Sequence, residues 1–138
     1  MGFALTVKGK DIEINLGEEI INSASVDVST PNASMAKSTK VAATLFVTGK
    51  LTHNNMEGIT DKETAKLFKW SLVTAQDADA YRDVTVKVIS AGHDFRTIHF
   101  PNAFIIAYNE RYSDNAGMGE FSLVLRQKAD RFREVGAN

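Results

Sequence analysis

Hydrophobic and polar positions alternate with a period of two along most of the chain, and one stretch alone shifts to a helical period. Residues 3–7 are apolar but for Thr6. After Lys8, Gly9 and Lys10 the chain sets Ile12, Ile14 and Leu16 against Asp11, Glu13 and Asn15. Successive side chains of a strand point to opposite faces, so this pattern predicts a hairpin with one face inward and one toward water. Gly17, Glu18 and Glu19 interrupt it, and residues 20–28 predict a further strand with Val26 and Val28 on the face opposite Asp27. Residues 41–51 alternate again, with Val41, Ala43, Leu45 and Val47 on one face and Ala42, Thr44, Phe46 and Thr48 on the other. The second face is itself half apolar, as in a strand that is covered on both sides or lies against another chain.

Residues 59–73 carry the one convincing helix. Thr60 with Glu63 three positions on makes a capping box, in which the hydroxyl accepts from the Glu63 amide and the carboxylate reaches back. Leu67, Phe68, Ser71 and Leu72 line one side, broadened by Trp70 and Val73. Lys62, Lys66 and Lys69 share another stripe, read as a solvated face or as a contact for an anionic partner surface. A polar connection at 76–82 leads to a strand with Val84, Val86 and Val88 inward, a turn at 91–94 and a return strand at 95–100. Pro101 and Asn102 interrupt that strand, which allows an edge position or a bulge there. Residues 104–108 and 120–126 form the last pair, across a polar connector that contains Gly117 and Gly119. The order is several strands, one helix, then about four strands.

Residues 29–40 stand apart, with one Pro, five Ser or Thr and almost no bulky apolar side chain. A connection this long in a compact domain is often functional. It reads either as a solvated loop or as an arm that orders against a neighbouring subunit.

Composition narrows the function classes. At 138 residues the chain fits one domain, 1–138, and with 43% hydrophobic and 24% charged residues it can bury a core without a staple. The absence of cysteine excludes disulfides, zinc–thiolate sites and cysteine nucleophiles. Sixteen basic against seventeen acidic residues leave a net charge of −1 and no bulk pull on a polyanion. No apolar run approaches the roughly 20 residues of a membrane span, and no secretory pattern opens the chain, so the expectation is synthesis in the cytoplasm and no membrane partner.

Candidate chemistry is sparse. His53, His93 and His99 are scattered, and no metal site, cofactor or catalytic residue is expected. Nothing has the G-x-S-x-G form of a nucleophile turn, and Gly117-Met118-Gly119 precedes a strand where a phosphate loop would precede a helix. Tyr108, Arg111 and Tyr112 hint at a stacking platform for single-stranded nucleic acid. A monomeric β-barrel binding module for a ligand or such a strand is therefore the alternative reading. What remains is the problem of strand edges, which a protein must block or use; edges used between copies and closed by symmetry give a ring.

The order of elements resembles the Hcp and phage tail-tube proteins of contractile injection systems. The resemblance lies in N-terminal strands, the long segment 29–40, the two-faced strand 41–51, one central helix, and a late strand pair in Thr97-Ile-His-Phe-Pro-Asn-Ala-Phe-Ile-Ile-Ala-Tyr-Asn109 with Phe121-Ser-Leu-Val-Leu-Arg126. It implies a mainly β fold: a split β-barrel of two packed antiparallel sheets with one flanking α-helix. It implies a structural protomer without enzymatic activity, six copies forming a ring and stacked rings forming the inner tube of a phage tail, bacteriocin or secretion-like particle. The implied partners are further copies, sheath and baseplate proteins, and a cargo protein or DNA in the lumen, with the tail-like particle released or secreted. Expected interface residues are Thr30, Asn32, Ser34, Met35, Lys37 and Lys40 on the arm, Phe46 on the two-faced strand, and Lys62, Lys66 and Lys69 on the helix.

Overall fold

The computed structural model describes residues 1–30, 41–51, 59–74, 76–114 and 118–138, with the backbone alone at 59–62 and 118. Its elements in chain order are β1 (Gly2–Lys8), β2 (Glu13–Leu16), β3 (Ile21–Ser29), β4 (Ala42–Leu51), α1 (Ile59–Ser71), β5 (Arg82–Ser90), β6 (His93–Ser113), β7 (Met118–Gln127) and β8 (Gly136–Ala137). Short 3₁₀ turns cover Ala78–Ala80 and Ala129–Glu134. The strands are joined in the order β2-β1-β5-β6-β7-β4-β3, all antiparallel, with β8 against β6. This is the expected split barrel of two packed antiparallel half-sheets with one helix.

The two halves share one strand. The first part of β6 pairs with β5, from Ser90↔His93 to Arg82↔Ala103, and the second pairs with β7, from Ala103↔Gln127 to Ser113↔Met118. The hand-over falls at Pro101 and Asn102, where the β5 register slips by one residue. Proline has no amide to give to a ladder, so this is where a bulge is tolerated. The side chain of Gln127, buried to 2% exposure, holds the slip open. Its Oε1 accepts from the Asn102 amide at 2.9 Å, and its Nε2 donates to the Arg131 carbonyl at 2.9 Å. The sequence reading stopped the strand at Pro101; the backbone runs on through it because Gln127 supplies the missing ladder partner.

Both half-sheets turn apolar residues into one core. Leu5, Val7, Ile14, Leu16, Val84, Val86 and Phe100 come from one half, and Ala43, Leu45, Val47, Phe121, Leu123 and Leu125 from the other, all buried. Gly49 lies opposite Phe121, and a Cβ there would run into the Phe121 ring and the Ile20 carbonyl. Ala91 and Gly92 form the two-residue β5–β6 turn with φ of 53° and 79°, the left-handed pair that matches the twist of a tight hairpin.

Helix α1 closes the core from the side, with a narrower buried arc than the sequence suggests. Thr64, Leu67 and Trp70 point inward, whereas Phe68 and Leu72 are exposed. Among the described residues Glu63 is held by β2 and by its own helix. Its Oε2 accepts from the Asn15 amide of β2 at 2.8 Å and its Oε1 from Lys66 Nζ at 2.8 Å, while Lys66 also donates to the Glu13 carbonyl. The Thr60 half of the capping box lies outside the described side chains. Trp70 Nε1 donates to the Ala80 carbonyl at 3.0 Å, and the Arg82 guanidinium lies 5.0 Å over the Trp70 ring. The helix is thus fastened to β2 at one end and to the start of β5 at the other.

Leu67, fully buried in α1, and Leu72, one residue past its end and 69% exposed, mark the covered and uncovered sides of this segment. Leu67→Ala is expected to cost about 2–5 kcal/mol in chemical denaturation, as for a core truncation. Leu72→Ala is expected to stay within roughly 0.5 kcal/mol of the parent. A Leu72 effect equal to that of Leu67 would place the buried arc on the wrong side.

Candidate functional site

The half-sheet β6-β7-β4-β3 has one covered face and one open face. Its covered face is the core just described. Its open face follows from the register as rows across four strands: Asp27, Thr44, Arg126 and Phe104; Ser25, Phe46, Val124 and Ala107; Ser23, Thr48, Ser122 and Asn109. Cross-strand partners of an antiparallel pair project to the same side, so each row lies on one surface. Phe46 is 41% exposed there, as its position on the two-faced strand predicts. The face is bound together by small polar contacts, among them Ser23 Oγ with Thr48 Oγ1 at 2.6 Å and Arg126 Nε to Thr44 Oγ1 at 3.4 Å. A last row, Lys50, Glu120 and Arg111, alternates in charge and borders an open cleft of about 480 Å³.

The two outer strands of this half-sheet are unlike edges. β3 pairs only with β4, and the 104–113 stretch of β6 pairs only with β7. Apart from the Ile21 amide, which donates to the Gly17 carbonyl at 3.1 Å at the start of β3, no backbone hydrogen bond among the described residues engages the other side of either stretch. Three antiparallel steps separate them, so the two free edges run in opposite directions. The first part of β6 is not free in this way, because Gly136, Ala137 and Asn138 pair along 97–99.

On the covered face of the β6 edge, Tyr108, Glu110 and Tyr112 stand in line, opposite Leu123, Phe121 and Gly119. Both tyrosine hydroxyls donate to Glu110, Tyr108 to Oε2 at 2.5 Å and Tyr112 to Oε1. Tyr108 also stacks near Phe121 and meets the edge of Phe68, with ring centroids 6.2 and 6.1 Å apart. Burial and the Glu110 carboxylate push the Tyr108 hydroxyl well above its ordinary pKa, and the hydrogen bond to Glu110 raises that of Tyr112. Arg111 projects to the opposite face, beside Glu120. The expected platform of Tyr108, Arg111 and Tyr112 is therefore split across two sides of the strand, and its tyrosines are committed to a carboxylate.

The remaining expected residues fall in different places. Thr30 is exposed at the end of β3 and lines a cleft with Val41 and the 129–134 turn. Asn32, Ser34, Met35, Lys37 and Lys40 lie outside the described residues, as does His53, and so does the side chain of Lys62. Lys66 is taken up by Glu63 and Glu13, whereas Lys69 is exposed. His93 sits at the β5–β6 turn, and His99 Nε2 lies 2.8 Å from Asp83 Oδ2. Among the described residues no three His, Cys, Asp or Glu side chains gather as a metal site. Neither free edge was visible from the sequence, because an edge is a property of strand order, and strand order is set by contacts far apart in the chain.

No protein-family model and no curated protein matches the sequence. Solved structures match the fold over nearly the whole chain. Hcp1 from Flavobacterium johnsoniae is 16% identical with a TM-score of 0.59, covering 92% of this chain and 90% of that one. The sheath/tube terminator of an extracellular contractile injection system, PVC, in its extended state is 14% identical with a TM-score of 0.61, covering 99% and 93%. A chain from the tail of an empty GTA particle, computed by helical refinement with C6 symmetry, is 11% identical with a TM-score of 0.52, covering 91% and 90%. The chain therefore has the fold of Hcp and contractile-injection tube proteins.

The Tyr108–Glu110–Tyr112 arrangement gives a pH prediction. Tyr108 ionises in the folded protein only above its ordinary value of 10.0. The folded state thus keeps a proton that the unfolded chain has lost, so this stabilisation is complete below that value and falls away as pH rises beyond it. Glu110→Gln should bring tyrosinate absorbance to lower pH in a spectroscopic titration. An unchanged titration curve would show that the carboxylate does not govern either hydroxyl.

Proposed function

We propose that the chain is a structural protomer that assembles into rings, six copies to a ring, which stack into the inner tube of a contractile injection system. The observation that carries this reading is the pair of unlike free edges on one four-stranded half-sheet. An isologous dimer would use one edge twice, whereas two different edges of opposite direction join head to tail, and a head-to-tail contact closes into a ring when its rotation allows. Four strands per copy keep every junction antiparallel. The fold shared with Hcp1 and with the tube terminator supports the same reading, and the six-fold symmetry of the GTA tail supports the copy number.

Each copy carries α1 and the other half-sheet on the covered face alone. A closed ring has room for that bulk only on its outside, so the open face becomes the lumen wall. That wall is mostly hydroxyl, amide and small apolar groups, past which a cargo protein or DNA would travel. Sheath and baseplate proteins are the partners expected on the outside, in a tail-like particle. In this reading the chain is a scaffold and performs no catalysis. The 29–40 segment, with Asn32, Ser34, Met35, Lys37 and Lys40, is assigned to contacts between rings, since it leaves the described half-sheet between β3 and β4.

Light scattering and electron microscopy of purified protein test the assembly: rings are expected, and a clean monomer at micromolar concentration would favour a monomeric binding module instead. Deleting residues 32–37 is expected to leave single rings and the unfolding midpoint intact while stacking fails. Tubes that form normally after the deletion would return the segment to an ordinary surface connection.

A further inference from the structure

We propose that the seam between neighbouring copies is an aliphatic-on-aromatic contact, with Val26 and Val28 on the β3 edge of one copy seated against Tyr108, Glu110 and Tyr112 on the β6 edge of the next. This rests on the ring reading, because a monomer has no next copy. Val26 pairs with Leu45 and Val28 with Ala43, both buried, so the two valines point to the core side of the sheet. Yet Val26 is 39% and Val28 55% exposed, because β3 is the last strand in the pairing order and no described strand pairs along its outer side. At the opposite edge Tyr112 is 77% exposed on that same core side, in line with Tyr108 and Glu110. Joining the edges in the antiparallel sense keeps core side to core side, which brings the uncovered valines of one copy to the uncovered tyrosine of the other.

The chemistry of the β6 edge suits an apolar neighbour. A bare carboxylate under two valines would be costly to desolvate. Glu110 is not bare, since both its oxygens accept a tyrosine hydroxyl from within its own strand, and the exposed Tyr112 ring stands beside it. The open face adds a charge match. Asp27 is the one ionisable residue of β3, and Arg111 is the one ionisable residue on the open face of the 104–113 stretch. Both are exposed, and neither makes an ion pair among the described residues. Joining the edges thus sets an acidic strand face beside a basic one, which favours this order of edges over a β3–β3 or β6–β6 contact.

The absence of cysteine makes the seam testable by disulfide trapping. Within one copy the two edges lie three interstrand steps of about 4.8 Å apart, too far for a disulfide, which needs Cα atoms about 4.4–6.8 Å apart. Double variants combining Val26→Cys or Val28→Cys with Glu110→Cys or Tyr112→Cys are expected, on mild oxidation of assembled rings, to give at least one covalent ladder ending at the ring size. A mixture of the two corresponding single variants should stop at dimers. Val26→Cys with Asn109→Cys, which face opposite sides, should give no ladder. Val28→Asp should abolish rings without lowering the monomer's unfolding midpoint.

Rings by electron microscopy with no ladder from any same-face pair would overturn the seam and leave the tube reading standing. So would rings that persist in Val28→Asp. A parent protein that stays monomeric overturns the tube reading, and the seam falls with it.

Discussion

A strand that serves two half-sheets must change partners without breaking, and in this chain that requirement rests on one buried amide. The Gln127 side chain accepts from Asn102 and donates to Arg131, so it satisfies the backbone on the far side of the Pro101 slip and anchors the turn that leads to β8. Asn102 in turn accepts at its carbonyl from the Lys128 amide at 2.8 Å. A buried backbone group without a partner costs about 1–3 kcal/mol, and the hand-over would leave several. Because the slip is satisfied, β6 can pass from β5 to β7 and the two halves can face each other over a single core.

From that hand-over the exposed edge follows. The first part of β6 is flanked by β5 on one side and by the C-terminal residues on the other. Beyond Ala103 no described strand takes the place of β5, so one side of the 104–113 stretch is left unpaired. The helix covers the core beneath it, through Leu67 and Trp70, and among its described side chains Phe68 reaches the edge at Tyr108. The same device that unites the fold thus creates the surface on which assembly is proposed.

The sequence made some of this legible and hid the rest for identifiable reasons. The β1–β2 hairpin and the inward set of β4 were readable because period-two alternation is a local signal, and the side on which Phe46 lies follows from it. The bulge at Pro101 was readable because proline cannot donate. The buried arc of the helix was misjudged, since Phe68 and Leu72 are as apolar as the residues that are buried, and only the partner surface decides which of them it covers. The hold of Glu63 on the Asn15 amide had no local signal, since the two lie 48 positions apart. β8 had no pattern to read, being Gly136 and Ala137. The split of Tyr108 and Tyr112 from Arg111 needed only strand parity, which the residues themselves carried.

The character of the edges bears on whether they are free by design or by accident. Proteins that keep a strand edge to themselves commonly block it with inward-pointing charge, proline or lysine. β3 carries a single charge, Asp27, on its open face, and its core-side positions are Ala24, Val26 and Val28. The 104–113 stretch has neither proline nor lysine, and its one core-side charge is held by two phenols. Edges so poorly defended would favour indiscriminate pairing if either could join itself. The opposed charges on Asp27 and Arg111, and the aliphatic side chains of one edge against the aromatic ones of the other, discriminate between the two edges without blocking either. In the proposed assembly, such an arrangement would select a directed, repeating contact, which is what a head-to-tail ring requires.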